Sequence, residues 1–105
     1  MPVYMVVDVR FDDMAWAQAY RREVPAMIAK WGGRYLTRPG APLRLEGTGE
    51  APDTLTLLEF PSHEAVEGFL ASPEYAPHAK ARQAGTRTTI YLLDGIDADL
   101  PRFSA

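Results

Sequence analysis

Residues 3–33 read VYMVVDVRFDDMAWAQAYRREVPAMIAKWGG, and within them the spacing of apolar residues changes once. From Val3 to Phe11 the period is two, with Val3, Met5, Val7, Val9 and Phe11 on one face of an extended chain and Tyr4, Val6, Asp8 and Arg10 on the other. Past Asp12 and Asp13 it becomes three to four, with Trp16, Tyr20, Val24, Met27 and Trp31 along one helical stripe. The two aspartates offer carboxylates to the free N–H groups of a helix start, and Gly32-Gly33 ends the helix by accepting positive φ. A strand followed by a helix is half of a βαβ unit. Pro25 removes a ladder hydrogen bond to Arg21 at a cost of about 3 kcal/mol in a regular helix, so a kink or two shorter pieces is expected there.

Further along, Arg34 to Arg38 has the makings of a short second strand. Pro39-Gly40-Ala41-Pro42 forms a turn, Leu43 to Glu46 a brief extension of the sheet, and Gly47 to Asp53 a loop. Thr54 to Phe60, closed by Pro61, predicts a buried third strand. Ser62 caps a helix with the stripe Ala65, Val66, Phe69 and Leu70. Ser72-Pro73 caps a second helical piece that Gly85 stops. Arg87 to Leu93 is the fourth strand. Right-handed crossovers return both helices to one face of the sheet. The fold class is therefore α+β, a ferredoxin-like βαββαβ domain with a four-stranded antiparallel sheet over residues 1–96, and residues 97–105 form a solvated tail.

The sheet face away from the helices carries Tyr4 and Val6 on the first strand, while the third and fourth strands are apolar on both sides apart from Thr residues, Glu59, Arg87 and Tyr91. Monomers seldom expose apolar patches beyond a few hundred Å². A second copy packed on that face about a two-fold axis removes the problem, which makes the chain its own expected partner, a homodimer.

Composition narrows the function classes. A chain of 105 residues with 47% apolar and 24% charged residues has the material for one core. Its net charge of −3 and the lack of any basic cluster argue against nucleic acid as a partner. With no cysteine there is no disulfide, thiolate nucleophile or Cys-based metal site. The first residues have no basic region followed by an apolar run, and no stretch approaches the ~20 residues of a membrane span. A cytoplasmic protein that does not engage the membrane is the expectation.

Several short motifs carry a family resemblance over about residues 3 to 95: Gly32-Gly33-Arg34-Tyr35, Arg38, Glu46-Gly47, Glu59-Phe60-Pro61, Ser62-x-Glu64-Ala65, and Ser72-Pro73-Glu74-Tyr75 with Arg82. Together they resemble the small bacterial proteins grouped as DUF1330. The resemblance implies a ferredoxin-like subunit of a dimeric α+β barrel, the superfamily shared with antibiotic-biosynthesis monooxygenases, haem-degrading monooxygenases and muconolactone isomerases. It implies no activity. The haem-degrading relatives use an axial His on the second helix, but the residues around His78 do not match their pattern.

The candidate chemistry rests on few groups. His63 and His78 are the only imidazoles, and His63 falls in a first helical turn where an exposed polar residue needs no further account. His78 stands four residues before Arg82 and four after Glu74. It either shares a wall with Arg82, as a general acid or base beside an anion, or pairs with Glu74. Glu59 and Asp8 are carboxylates in apolar strands, each able to titrate high in a dry cavity or to pair with Arg10, Arg34, Arg38 or Arg82. Tyr20, Tyr35, Tyr75 and Tyr91 either line a cleft for a flat ligand or belong to the core. His78 and Glu59 are thus the catalytic candidates. Arg38, Arg82, Tyr20 and Asp8 are the candidates for binding a small organic anion. No metal-ligand spacing and no nucleotide fingerprint is present, so no metal and no cofactor is expected. Enclosed volume separates the two functional readings: a cavity of some hundreds of Å³ with convergent polar groups indicates a small-molecule protein, and a filled core a dimerisation or regulatory module.

Overall fold

The computed structural model describes residues 2–96; the expected tail at 97–105 lies outside the described residues. The elements run β1 (Val3–Phe11), α1 (Ala17–Lys30), β2 (Arg34–Tyr35), β3 (Thr54–Phe60), α2 (His63–Ala71), α3 (Ala76–Gly85) and β4 (Thr86–Asp94). The sheet order is β2-β3-β1-β4 with every pair antiparallel. This is the ferredoxin-like α+β arrangement, with the second helix in two parts as expected.

The register explains which side chains meet. Val3 pairs with Phe60, Met5 with Leu58 and Val9 with Thr54, so the odd-numbered side chains of β1 and the even-numbered ones of β3 share one face. The helices pack there. Val24 and Ile28 of α1, Val66 and Phe69 of α2, and Tyr75 ahead of α3 close on Val3, Met5, Leu58 and Phe60 to make the core. Gly68 has a steric task in this layer, because a Cβ at that position would sit 2.3 Å from the ring of Trp31.

Four local expectations are corrected. The first helix begins at Ala17, with Trp16 as its cap residue and no side-chain cap. Asp13 instead accepts from the Ala15 N–H at 2.9 Å, and the Trp16 indole donates to the Asp13 carbonyl at 2.8 Å, so the aspartate closes a turn ahead of the helix. Secondly, of the two outcomes expected at Pro25 the division into shorter pieces does not occur, and α1 runs as one helix from Ala17 to Lys30. Arg21 and Pro25 both lie on its exposed side, where water can meet the carbonyl left without a donor, while Val24 and Ile28 hold the helix to the sheet.

Thirdly, β2 stops at Tyr35. The N–H groups of Leu36 and Thr37 both turn to the Leu57 carbonyl, at 2.8 and 3.4 Å, and the Thr37 hydroxyl accepts from the Leu57 N–H at 3.0 Å, so a side chain takes over the ladder. Only an isolated bridge, Gly40 to Leu55, follows among the described residues, and Leu43 to Glu46 adds nothing to the sheet. Finally, Ser62 caps α2 through the Ala65 N–H at 3.1 Å as expected, but Ser72 does not cap α3. Its hydroxyl donates back to the Phe69 carbonyl at 2.9 Å. Tyr75 is the cap residue of α3, and Pro77 takes the first turn.

Candidate functional site

Between the helix-facing side of the sheet and the helix layer lies a cavity of about 800 Å³, within the size range of small-molecule sites. Met5, Val7, Val9 and Phe11 form its floor with Thr54, Thr56 and Leu58. Trp16 just ahead of α1 and Tyr20 within it form one wall, and Arg82 of α3 reaches it from another. The segment after β2, from Leu36 to Pro39, makes the rim, and the early end of that strand is what frees it to do so.

Most of this surface is apolar, which makes its few polar groups informative. Arg82 is 5% exposed. Among the described residues its guanidinium forms no ion pair and no hydrogen bond, and none of its nitrogens is both buried and unpartnered, so the charged tip opens onto the cavity while the stem is covered. Its backbone is held firmly: the Arg82 carbonyl accepts from the Thr86 hydroxyl at 2.7 Å, across the junction where α3 passes directly into β4. Beside it, the hydroxyls of Tyr20 and Tyr75 lie 2.7 Å apart. Burial pushes the Tyr20 phenol upward in pKa, Tyr75 adds to the shift, and the Arg82 charge opposes it. Tyr35 at the rim is also raised, again chiefly by burial.

The sequence candidates are thereby sorted. Tyr20, Arg38 and Arg82 line the cavity, Arg38 from an exposed position at the rim. Asp8 and Glu59 project from the opposite side of the sheet, and Glu59 takes the pairing alternative, with Arg34 at 3.3 Å. His78 is close behind the wall, its ring edge-on to Tyr20 at 6.2 Å, but its Nε2 meets Glu23 of α1 at 2.8 Å and it does not line the cavity. Glu74, the partner expected for His78, pairs instead with Lys30 at 3.3 Å. Sequence reasoning did not bring Tyr20 and Tyr75 together as a hydroxyl pair, since 55 residues separate them and nothing in either local pattern points to the other.

The second histidine yields a test. His63 meets Asp94 at 2.5 Å, and that hydrogen bond raises its pKa above the ordinary 6.5. A raised folded-state pKa adds stability that is fully present below pH 6.5 and is lost as pH rises through the folded value. An NMR titration should place the His63 imidazole above 6.5, and Asp94→Asn should lower it toward that value.

The fold is shared with several solved structures. A protein of unknown function from Rhodopseudomonas palustris, RPA0582, is 24% identical and superposes with a TM-score of 0.75 over 91% of this chain and 83% of that one. A dimeric ferredoxin-like protein of unknown function from Jannaschia sp. CCS1 is 13% identical, with a TM-score of 0.71 over 90% of this chain and 100% of that one. SnoaB, a cofactor-independent oxygenase from Streptomyces nogalater, is 19% identical, with a TM-score of 0.60 over 93% and 96% of the two chains. At these identities the likeness is one of fold. No curated protein matches the sequence. No helix among the described residues is long and apolar enough to cross a membrane. The family described as domain of unknown function DUF1330 matches residues 2–96, and this chain belongs to it.

Proposed function

We propose that this protein is a cytoplasmic homodimer that takes a small, mainly apolar organic anion into the cavity between sheet and helices, as a binder or as a cofactor-free enzyme for proton transfer or oxygenation. One observation carries the reading: Arg82, a residue 5% exposed whose guanidinium has no counter-ion among the described residues, stands at the wall of an 800 Å³ apolar cavity. A carboxylate or phenolate from a ligand is the complement that charge lacks. SnoaB, described as a cofactor-independent oxygenase, is a precedent for that chemistry on this fold, by analogy only. In a thermal-shift screen, aromatic carboxylates such as 2-naphthoate should stabilise the protein, and the matching neutral amides should not. No shift with any acid overturns the reading.

A second reading, a non-catalytic dimerisation module, draws on the bare sheet face. Tyr91, Leu93 and Leu55 are exposed there, at 58%, 56% and 37%. Both readings require the dimer, and size exclusion with light scattering should report about twice the 11.7 kDa of the chain. A clean monomer at micromolar concentration would sink the face-to-face architecture. The module reading alone predicts a dimer whose stability no small acid changes.

A further inference from the structure

The two phenols beside Arg82 are not equivalent. Tyr75 is 2% exposed, and among the described residues its hydroxyl has one partner, the Tyr20 oxygen at 2.7 Å. Tyr20 lines the cavity. If Tyr20 donated to Tyr75, the Tyr75 proton would be buried with no acceptor, at a cost comparable to a lost hydrogen bond. If Tyr75 donates to Tyr20, the buried Tyr75 proton is used, and the Tyr20 proton turns toward the cavity that Arg82 also reaches. The second arrangement satisfies the buried groups.

From this we infer that Tyr20 and Arg82 form a two-donor site for a single oxygen anion, with Tyr75 as the positioning residue that orients the Tyr20 hydroxyl. The inference rests on the cavity reading above and narrows its ligand class. A guanidinium alone serves any carboxylate. A phenol proton aimed at the same region suits an oxygen whose charge is concentrated on one atom, such as a phenolate or the enolate of a ketone. Burial keeps the Tyr20 phenol protonated near neutral pH, which is the form that donates. The floor of Val7, Val9 and Leu58 supplies an apolar bed for the body of such a molecule. Held there, a phenol or an enolisable ketone loses its proton more readily than in water, because the anion it forms gains two charge-assisted hydrogen bonds.

The test uses 4-nitrophenol, whose anion absorbs in the visible and whose neutral form does not, with 2-naphthoate as an independent probe of the cavity. Bound to the intact protein, 4-nitrophenol should ionise at a pH one to two units below its value in water, roughly a ten- to hundredfold gain for the anion. Tyr20→Phe, which keeps the ring, should remove most of that shift. Tyr75→Phe should remove a smaller part, about threefold to tenfold, because the Tyr20 donor is kept but neither polarised nor oriented. Circular dichroism and thermal unfolding check that both variants fold, and 2-naphthoate binding checks that the cavity is intact. An unshifted titration of bound nitrophenol, or a shift that survives in Tyr20→Phe, overturns the two-donor site while 2-naphthoate binding leaves the cavity reading standing. If neither probe binds the wild-type protein, both fall together.

Discussion

Replacing Arg82 with Met is expected to leave the stability of the fold nearly unchanged and to make the protein less able to hold an anion. Arg82 is 5% exposed, its charge has no counter-ion among the described residues, and it stands at the wall of an apolar cavity. Met has a similar unbranched stem and no charge to desolvate. With no ion pair to lose, the change in stability should stay within about 1 kcal/mol, and each kcal/mol moves the melting temperature of a domain this size by about 4–8 °C. The same change removes a charge-assisted contact worth about 1.5–3 kcal/mol, so 2-naphthoate should bind roughly ten- to 150-fold more weakly. Affinity falls while stability holds because the partner of the guanidinium is the ligand and not the fold. Differential scanning calorimetry and isothermal titration on the one variant separate the cases. A fall in melting temperature with unchanged affinity would assign Arg82 to the scaffold and retire the anion site.

The largest loss of stability is expected from Phe69→Ala. Phe69 is 1% exposed, its ring centre 4.2 Å from that of Tyr75 and 5.8 Å from that of Phe60, and it also touches the cavity. Truncating a buried Phe costs about 3–5 kcal/mol through lost transfer energy and the void left behind. That is a large share of the 5–15 kcal/mol that typically separates folded from unfolded domains. Urea denaturation should show the midpoint falling with little change in slope. The loss also bears on the site, since Tyr75 would no longer be braced on that side. Where the variant still folds, the ionisation shift of bound 4-nitrophenol should shrink as it does in Tyr75→Phe. Retention of the full shift would mean that Tyr75 is positioned by its hydrogen bond alone.

Which parts of this were legible in the sequence depends on whether the deciding forces were local. The alternation in Val3–Phe11, the helical stripe after it and the Ser62 cap are local, and the structure carries all three. The length of β2 is not local. It is set by a hydroxyl on Thr37 reaching Leu57, twenty residues away, and no strand propensity encodes that. The side to which Glu59 points is open in the sequence because Thr54–Phe60 mixes polar and apolar residues on both alternating sets, Thr54, Thr56, Leu58 and Phe60 against Leu55, Leu57 and Glu59, so no period of two marks an inner face. Pairing Tyr4 with Glu59 settles it. The i, i+4 spacing of His78 and Arg82 was read correctly as a common helical side, yet a carboxylate on α1 holds the histidine and only the arginine reaches the cavity. Contacts between segments decide the site, and contacts between segments are what a one-dimensional reading lacks.

The edge-on packing of Trp16 against Tyr20, 5.4 Å between ring centres at 88°, has an optical consequence. An indole this close collects ultraviolet excitation from the neighbouring phenol and emits in its place. Trp16 also lines the cavity, whereas the other indole, Trp31, lies against Gly68 in the helix layer. The chain therefore contains one fluorophore at the binding surface and one outside its lining. An absorbing aromatic guest seated beside Tyr20 would darken the first more than the second, reporting its own arrival without any label.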